Sequence, residues 1–144
     1  VVVVSILDLP SRRHSPLDEA FTVPKRLHDA GVRFSIAGAS GFGNERNLPY
    51  HAAMAAAFGL PRDEALRSIT VHAAEIAGIG DRAGSIETGK DATIIVTDGD
   101  PLEIPTTVER MFIQGRVVDL DNRHRQLYRK YNERYARTPC PEGM

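Results

Sequence analysis

Hydrophobic positions divide the chain into a first half with buried-strand and helical periods and a second half of short strands. The opening run VVVVSIL, residues 1–7, is an unbroken, mainly β-branched stretch of the kind that fills a parallel strand buried on both faces, and Asp8, Leu9 and Pro10 stop it. Residues 11–15, with Arg12, Arg13 and His14, then read as a polar loop. Residues 18–30 predict a helix in two parts, interrupted by Pro24, with Leu27 and Ala30 on one face and Gly31 as its stop. Residues 32–37 return to a strand. Strand, helix and strand with short connections make a βαβ unit, which implies a right-handed crossover and a parallel sheet.

After a glycine-rich turn, residues 48–58 are alanine-rich and helical up to Gly59. Pro61 starts another helix, with Asp63 and Glu64 in the first turn, where the dipole favours acids, and with Leu66, Ile69, Ala73 and Ile76 at helical spacing. The pattern breaks near residues 70–72, where His72-Ala-Ala-Glu75 can cap a fresh short helix that ends near Gly78. From Gly84 the period changes. Residues 84–87, 92–97, 108–113 and 116–120 predict short strands joined by turns at 88–91, 98–101 and Gln114-Gly115, an antiparallel module. Leu127, Tyr128, Tyr131 and Tyr135 then mark an amphipathic helix on a basic background, and residues 138–144 form a loose tail. The predicted organisation is residues 1–83, 84–120 and 121–144.

Composition narrows the function classes. A chain of 144 residues, 42% of them apolar, can bury one sizeable core, as one domain or as part of a larger one. A net charge of −1 gives no global attraction to nucleic acid or membrane. The one cysteine, Cys140, leaves no intrachain disulfide and suits a reducing cytoplasm. VVVVSIL is too short to span a bilayer and lacks the flanks of a signal peptide. Because the chain opens directly inside an apolar strand, a preceding segment is expected.

The stretch GSIETGKDATIIVTDGDPL, followed after a short gap by VERMFIQGRVV, closely resembles the C-terminal strands of the amidohydrolase superfamily. Upstream, NLPYHAAMAAAFGLPRDEALRSITVHAAEIAGI resembles the segment after the last barrel strand in the imidazolonepropionase-like branch, a group of metal-dependent hydrolases of C–N bonds. The likeness runs in order over residues 1–120. It implies an α/β fold: the C-terminal part of a TIM-like (β/α)8 barrel followed by strands of a small β-sandwich.

The resemblance also implies a chemistry. Such proteins carry a His-x-His pair on the first barrel strand, a Lys or equivalent on a middle strand and further histidines on later ones. These hold Zn²⁺ or a similar divalent ion, the ion acidifies a bound water, and an Asp at the end of the last strand takes the water's proton. This chain has no His-x-His, and its matching region begins at about the seventh barrel strand. The family's Asp falls at about Ala39, where Gly38, Ala39 and Ser40 offer no carboxylate. The implied metal therefore belongs to the intact family. None is expected for this chain alone, which is expected to contain neither a metal ligand nor a catalytic residue and to be inactive by itself.

The glycine-rich mouth also has a direct reading. Gly38, Gly41 and Gly43 follow the order G-x-x-G-x-G, which is neither the dinucleotide fingerprint nor a Walker loop. A tight turn is the plainer account, and an anion cradle at the start of the following helix the sharper one. In the cradle, Asn44, Arg46 and Asn47 supply polar contacts, and Ser40 can hydrogen-bond but cannot act as a base near neutral pH. His14 sits where barrel active-site loops lie, although a surface loop histidine is its plainer reading. His14, Ser40, Asn44, Arg46 and Asn47 are thus the candidate substrate-binding residues. Glu45, the nearest downstream acid, is not expected to replace the missing Asp, because it lies several residues along the turn. His28, His51 and His72 have unrelated spacing and read as packing, surface or capping residues.

The final helix mixes tyrosines with arginines, which superficially suggests nucleic acid. Its tyrosines fall on one stripe, so burial against the protein or a partner chain is expected instead, and no nucleic-acid or membrane partner is predicted. The expected partners are a small amide-like substrate, the missing N-terminal part of the barrel or a companion chain, and a second copy. Two functions follow: part of a hydrolase acting on cyclic amide or peptide-like C–N bonds, or a catalytically silent binding or assembly subunit.

Overall fold

Val2–Val3 (β1) and Ser35–Ile36 (β2) pair in parallel, Val2 opposite Ser35 and Val3 opposite Ile36, in the computed structural model, which describes residues 1–4, 6–10, 12–38 and 45–137. Helix α1, Glu19–Asp29, connects them, so the βαβ order expected from the sequence is present. The long first strand is not. Its ladder holds two residues, and Val1, Val2 and Val4 are 62%, 53% and 55% exposed. Among the described residues β2 is the one strand paired with β1, which leaves the other edge open and the outward side chains uncovered.

Pro24 does not divide the first helix, contrary to expectation: α1 is continuous through it. An interior proline removes a backbone donor and costs about 3 kcal/mol. Tertiary burial holds the helix across that defect, because Pro24 is fully buried and Phe21 and Leu27 pack on the core. Gly31 ends α1 in the left-handed region at φ 68°, with its amide donating to the His28 carbonyl and the Val32 amide to that of Leu27.

A 3-10 turn, Glu45–Asn47, leads into α2, Leu48–Ala57. Ala52 and Ala55 are wholly buried, and these small side chains let α2 lie close on the core. Helices α3, Arg62–Ser68, and α4, Val71–Ile76, follow. The break between them falls at Ile69 and Thr70, so α4 starts before the expected His72 cap. Thr70 Oγ1 donates to the Leu66 carbonyl and closes α3 instead of capping α4. The core gathers Ile6, Phe34, Ile36, Ala52, Ala55, Leu60, Ala65 and Leu102.

The antiparallel module is a meander of β3, Ile94–Thr97, β4, Val108–Ile113, and β5, Arg116–Val117. Ile94 faces Phe112 and Phe112 faces Val117, with a bulge at Val96 and Thr97. Gln114 and Gly115, both left-handed at φ 50° and 76°, make the two-residue hairpin turn the sequence predicts. Residues 84–87 form no strand, contrary to expectation, because Gly84 is wedged against α4, where even a Cβ would stand 2.7 Å from that of Ala74.

Asn122 starts helix α5, Arg123–Arg137, by accepting the Arg125 amide at 3.0 Å on its side chain. Every residue of α5 is exposed. The expected burial of its tyrosines does not occur within the chain: Tyr128, Tyr131 and Tyr135 are 69%, 44% and 69% exposed, and Tyr131 stacks on Tyr135. Among the described residues, no helix is long and apolar enough to cross a membrane.

Candidate functional site

Parallel pairing has a direct consequence for chemistry: the chain leaves β1 and β2 at the same end of the sheet. The loop containing His14 follows β1, and the turn containing Arg46 and Asn47 follows β2. Brought together in this way, loops at the C-terminal ends of parallel strands are the usual place for a ligand in α/β proteins. His14 and Arg46 are exposed and Asn47 is half-buried, so all three can reach solvent. No hydrogen bond or ion pair joins His14 to Arg46 or Asn47 among the described residues. Ser40 and Asn44, and Ala39 with them, lie outside those residues.

Glu45 is closer to the strand end than its sequence distance suggests. A Cβ placed on Gly38 would stand 3.8 Å from the Glu45 Cα, so Gly38 and Glu45 lie side by side. Adjacency of this kind leaves no mark in the spacing of residues, which is why Glu45 reads as remote in the sequence.

Away from the mouth, His28, His51 and His72 sit on helices α1, α2 and α4. His51, on α2, is 4% exposed, and its Nδ1 has no hydrogen-bond partner. His28 Nδ1 and His72 Nε2 each stand 4.0 Å from Oε2 of Glu64, beyond hydrogen-bonding distance, and Arg67 approaches the other carboxylate oxygen at 3.5 Å. This meeting of α1, α3 and α4 has no sequence signal, since positions 28, 64 and 72 share no helical period. Among the described residues, no group of three or more His, Cys, Asp or Glu side chains is placed to hold a metal ion. The described residues therefore do not fit a metal centre by themselves.

Two open cavities lie elsewhere. One, of about 500 Å³, runs between α2 and the loop joining β3 to β4, with Tyr50, Met54, Leu102 and Ile104 on its walls. At its rim the Arg62 guanidinium donates to Asp100 at 2.6 Å and to Glu103 at 2.5 Å. The hydrogen bond from Arg62 holds the Asp100 carboxyl below its ordinary pKa, helped by the Leu102 amide, and the same two acids raise that of Arg62. The second, of about 730 Å³, is a mainly apolar groove between α3–α4 and β3, lined by Leu66, Ile69, Ala73 and Ile94 among others. Neither is lined by His14, Arg46 or Asn47.

Residues 3–119 match the amidohydrolase family, and the chain belongs to it. It is 34% identical over 110 residues to an imidazolonepropionase from Thermoplasma volcanium, an alignment covering 71% of this chain and 27% of that protein. It is also 34% identical over 91 residues to amidohydrolase tasK of Hapsidospora irregularis, covering 63% of this chain and 9% of the relative. The crystal structure of an amidohydrolase from Thermotoga maritima superposes with a TM-score of 0.66 at 30% identity, covering 75% of this chain and 29% of that one. The chain thus spans less than a third of the length of each of these proteins. Its own mixed α/β fold contains two partial sheets and no closed barrel among the described residues.

Proposed function

We propose that this chain is the C-terminal part of a metal-dependent amidohydrolase of the imidazolonepropionase-like branch, one that hydrolyses C–N bonds of cyclic amide or peptide-like substrates. The observation that carries this reading is the family match across residues 3–119 on a chain whose β1 and β2 run parallel and release their loops at one end. In the whole protein, residues 1–83 supply the last strand–helix units of the barrel and residues 84–120 supply strands of the β-sandwich. His14, Ser40, Asn44, Arg46 and Asn47 border the substrate, with the Arg46 guanidinium as a fixed positive charge for a carboxylate or carbonyl oxygen. The metal, when bound in the whole protein, supplies an acidified water, and its ligands come from strands outside this chain.

By itself the chain is inactive. Metal analysis of the purified chain after incubation with Zn²⁺ and gel filtration is expected to find no stoichiometric ion, whereas about one tightly held ion per chain overturns the reading. The absence of a carboxylate at residues 38–40 favours a second reading, a catalytically silent binding or assembly subunit. The coding DNA upstream of the Val1 codon separates the two. An in-frame His-x-His strand, with turnover of amide substrates by the whole product, supports the hydrolase. A start codon immediately upstream supports the silent subunit.

A further inference from the structure

Hydrolysis of an amide needs a group that takes a proton from the attacking water and returns one to the departing nitrogen. At the C-terminal ends of β1 and β2, Arg46 and Asn47 cannot fill that role near neutral pH, because a guanidinium only donates and a carboxamide is not a base. The described residues that can accept a proton there are Asp8, His14 and Asp18 after β1 and Glu45 after β2. The first three lie along the exposed loop between β1 and α1, and their side chains make no hydrogen bond or ion pair among the described residues. Glu45 is placed by rigid structure instead. Its Cα lies 3.8 Å from where a Cβ on Gly38 would stand, beside the C-terminal end of β2. It opens the 3-10 turn that runs straight into α2, and α2 is seated on the core by Ala52 and Ala55. Glu45 is exposed, so a packed helix carries its carboxylate, two methylenes from this backbone, at the mouth.

We infer that Glu45 is a catalytic residue of the whole protein, the base that takes the place of the carboxylate absent at residues 38–40; this rests on the hydrolase reading above. The water oxygen bonds to the scissile carbonyl carbon, the carbonyl π pair moves onto its oxygen, and one water proton passes to a Glu45 carboxylate oxygen. When the C–N bond breaks, its electron pair leaves with nitrogen, the oxyanion re-forms the carbonyl, and the proton on Glu45 moves to that nitrogen. The products are a carboxylic acid and an amine, and Glu45 is again a carboxylate.

The test uses the whole protein, expressed from its complete reading frame, and follows hydrolysis of hydantoin, dihydrouracil and a dipeptide library. Wild type is expected to hydrolyse at least one of these probes. Glu45→Gln keeps the shape and removes the base, so it is expected to lower kcat at least about a hundredfold with little change in KM. Glu45→Asp, which retracts the carboxylate by one methylene, is expected to fall between the two. Glu45→Ala is expected to regain activity when formate is added, because the free carboxylate can occupy the vacated space; a residue that only shapes the mouth is not rescued in this way. An unchanged far-ultraviolet circular dichroism spectrum verifies the fold of each variant. With an active wild type, a Glu45→Gln variant that keeps its kcat, or a Glu45→Ala variant that formate does not rescue, overturns the role of Glu45 and leaves the hydrolase reading standing. A whole protein that hydrolyses none of the probes overturns both.

Discussion

Gly84 and Gly89 have nearly the same backbone, φ 97° and 93°, in unlike surroundings. A Cβ on Gly89 would meet nothing within 4 Å, whereas on Gly84 it would stand 2.7 Å from Ala74 Cβ and 3.1 Å from both the Thr70 oxygen and the Val71 Cα. Gly89→Ala therefore incurs only the left-handed backbone cost, about 1–2 kcal/mol. Gly84→Ala adds overpacking against α4, roughly 1–3 kcal/mol more, because two of the three neighbours are backbone atoms that cannot swing aside. Chemical denaturation of both variants is expected to show Gly84→Ala as clearly the less stable. Equal losses would mean that the contact between residue 84 and α4 does not persist in solution.

Arg62 ties elements together that are distant in sequence: from the start of α3 it reaches Asp100 and Glu103 in the loop joining β3 to β4. Because its partners hold the Asp100 carboxyl below the ordinary value, the stability this pair contributes is fully present above the usual Asp pKa of about 3.9 and is lost as pH falls through the lowered one. A carboxyl-carbon NMR titration is expected to show the Asp100 midpoint rising toward the ordinary value in Arg62→Ala, and an unmoved midpoint would refute the tie. Such links explain which elements were legible in the sequence. The helix stops at Gly31 and Gly59 and the hairpin at Gln114-Gly115 follow from local φ preferences, and they appear where the sequence places them. Continuity of α1 through Pro24, the missing strand at residues 84–87 and the exposure of α5 depend on what packs against each segment, which local pattern does not encode. The candidate site divides in the same way. The positions of His14, Arg46 and Asn47 follow from strand order, but the adjacency of Glu45 to Gly38 and the approach of two histidines to Glu64 arise from how the elements pack.

At the scale of the molecule, the antiparallel module joins the α/β part through a narrow connection. Its sheet contributes no residue to the core cluster, whereas Leu102, on the loop between β3 and β4, is 3% exposed among Ala52, Ala55 and Leu60. Leu102 is the buried residue of that loop, with the Arg62 pairs at its rim, and the two parts are expected to unfold together only while it is seated. Truncating it removes buried apolar volume that the helices cannot refill, so Leu102→Ala is expected to cost about 2–5 kcal/mol. The more telling consequence concerns cooperativity. In the wild type, amides of β3 and β4 are expected to exchange through the same global opening as those of α2; in Leu102→Ala the sheet amides are expected to exchange faster than the α2 amides, because the module can open alone. Hydrogen exchange followed residue by residue decides it. Parallel loss of protection in α2 and the sheet would show that the two parts are held by more than this loop, and equal protection in wild type and variant would show that Leu102 does not hold them together.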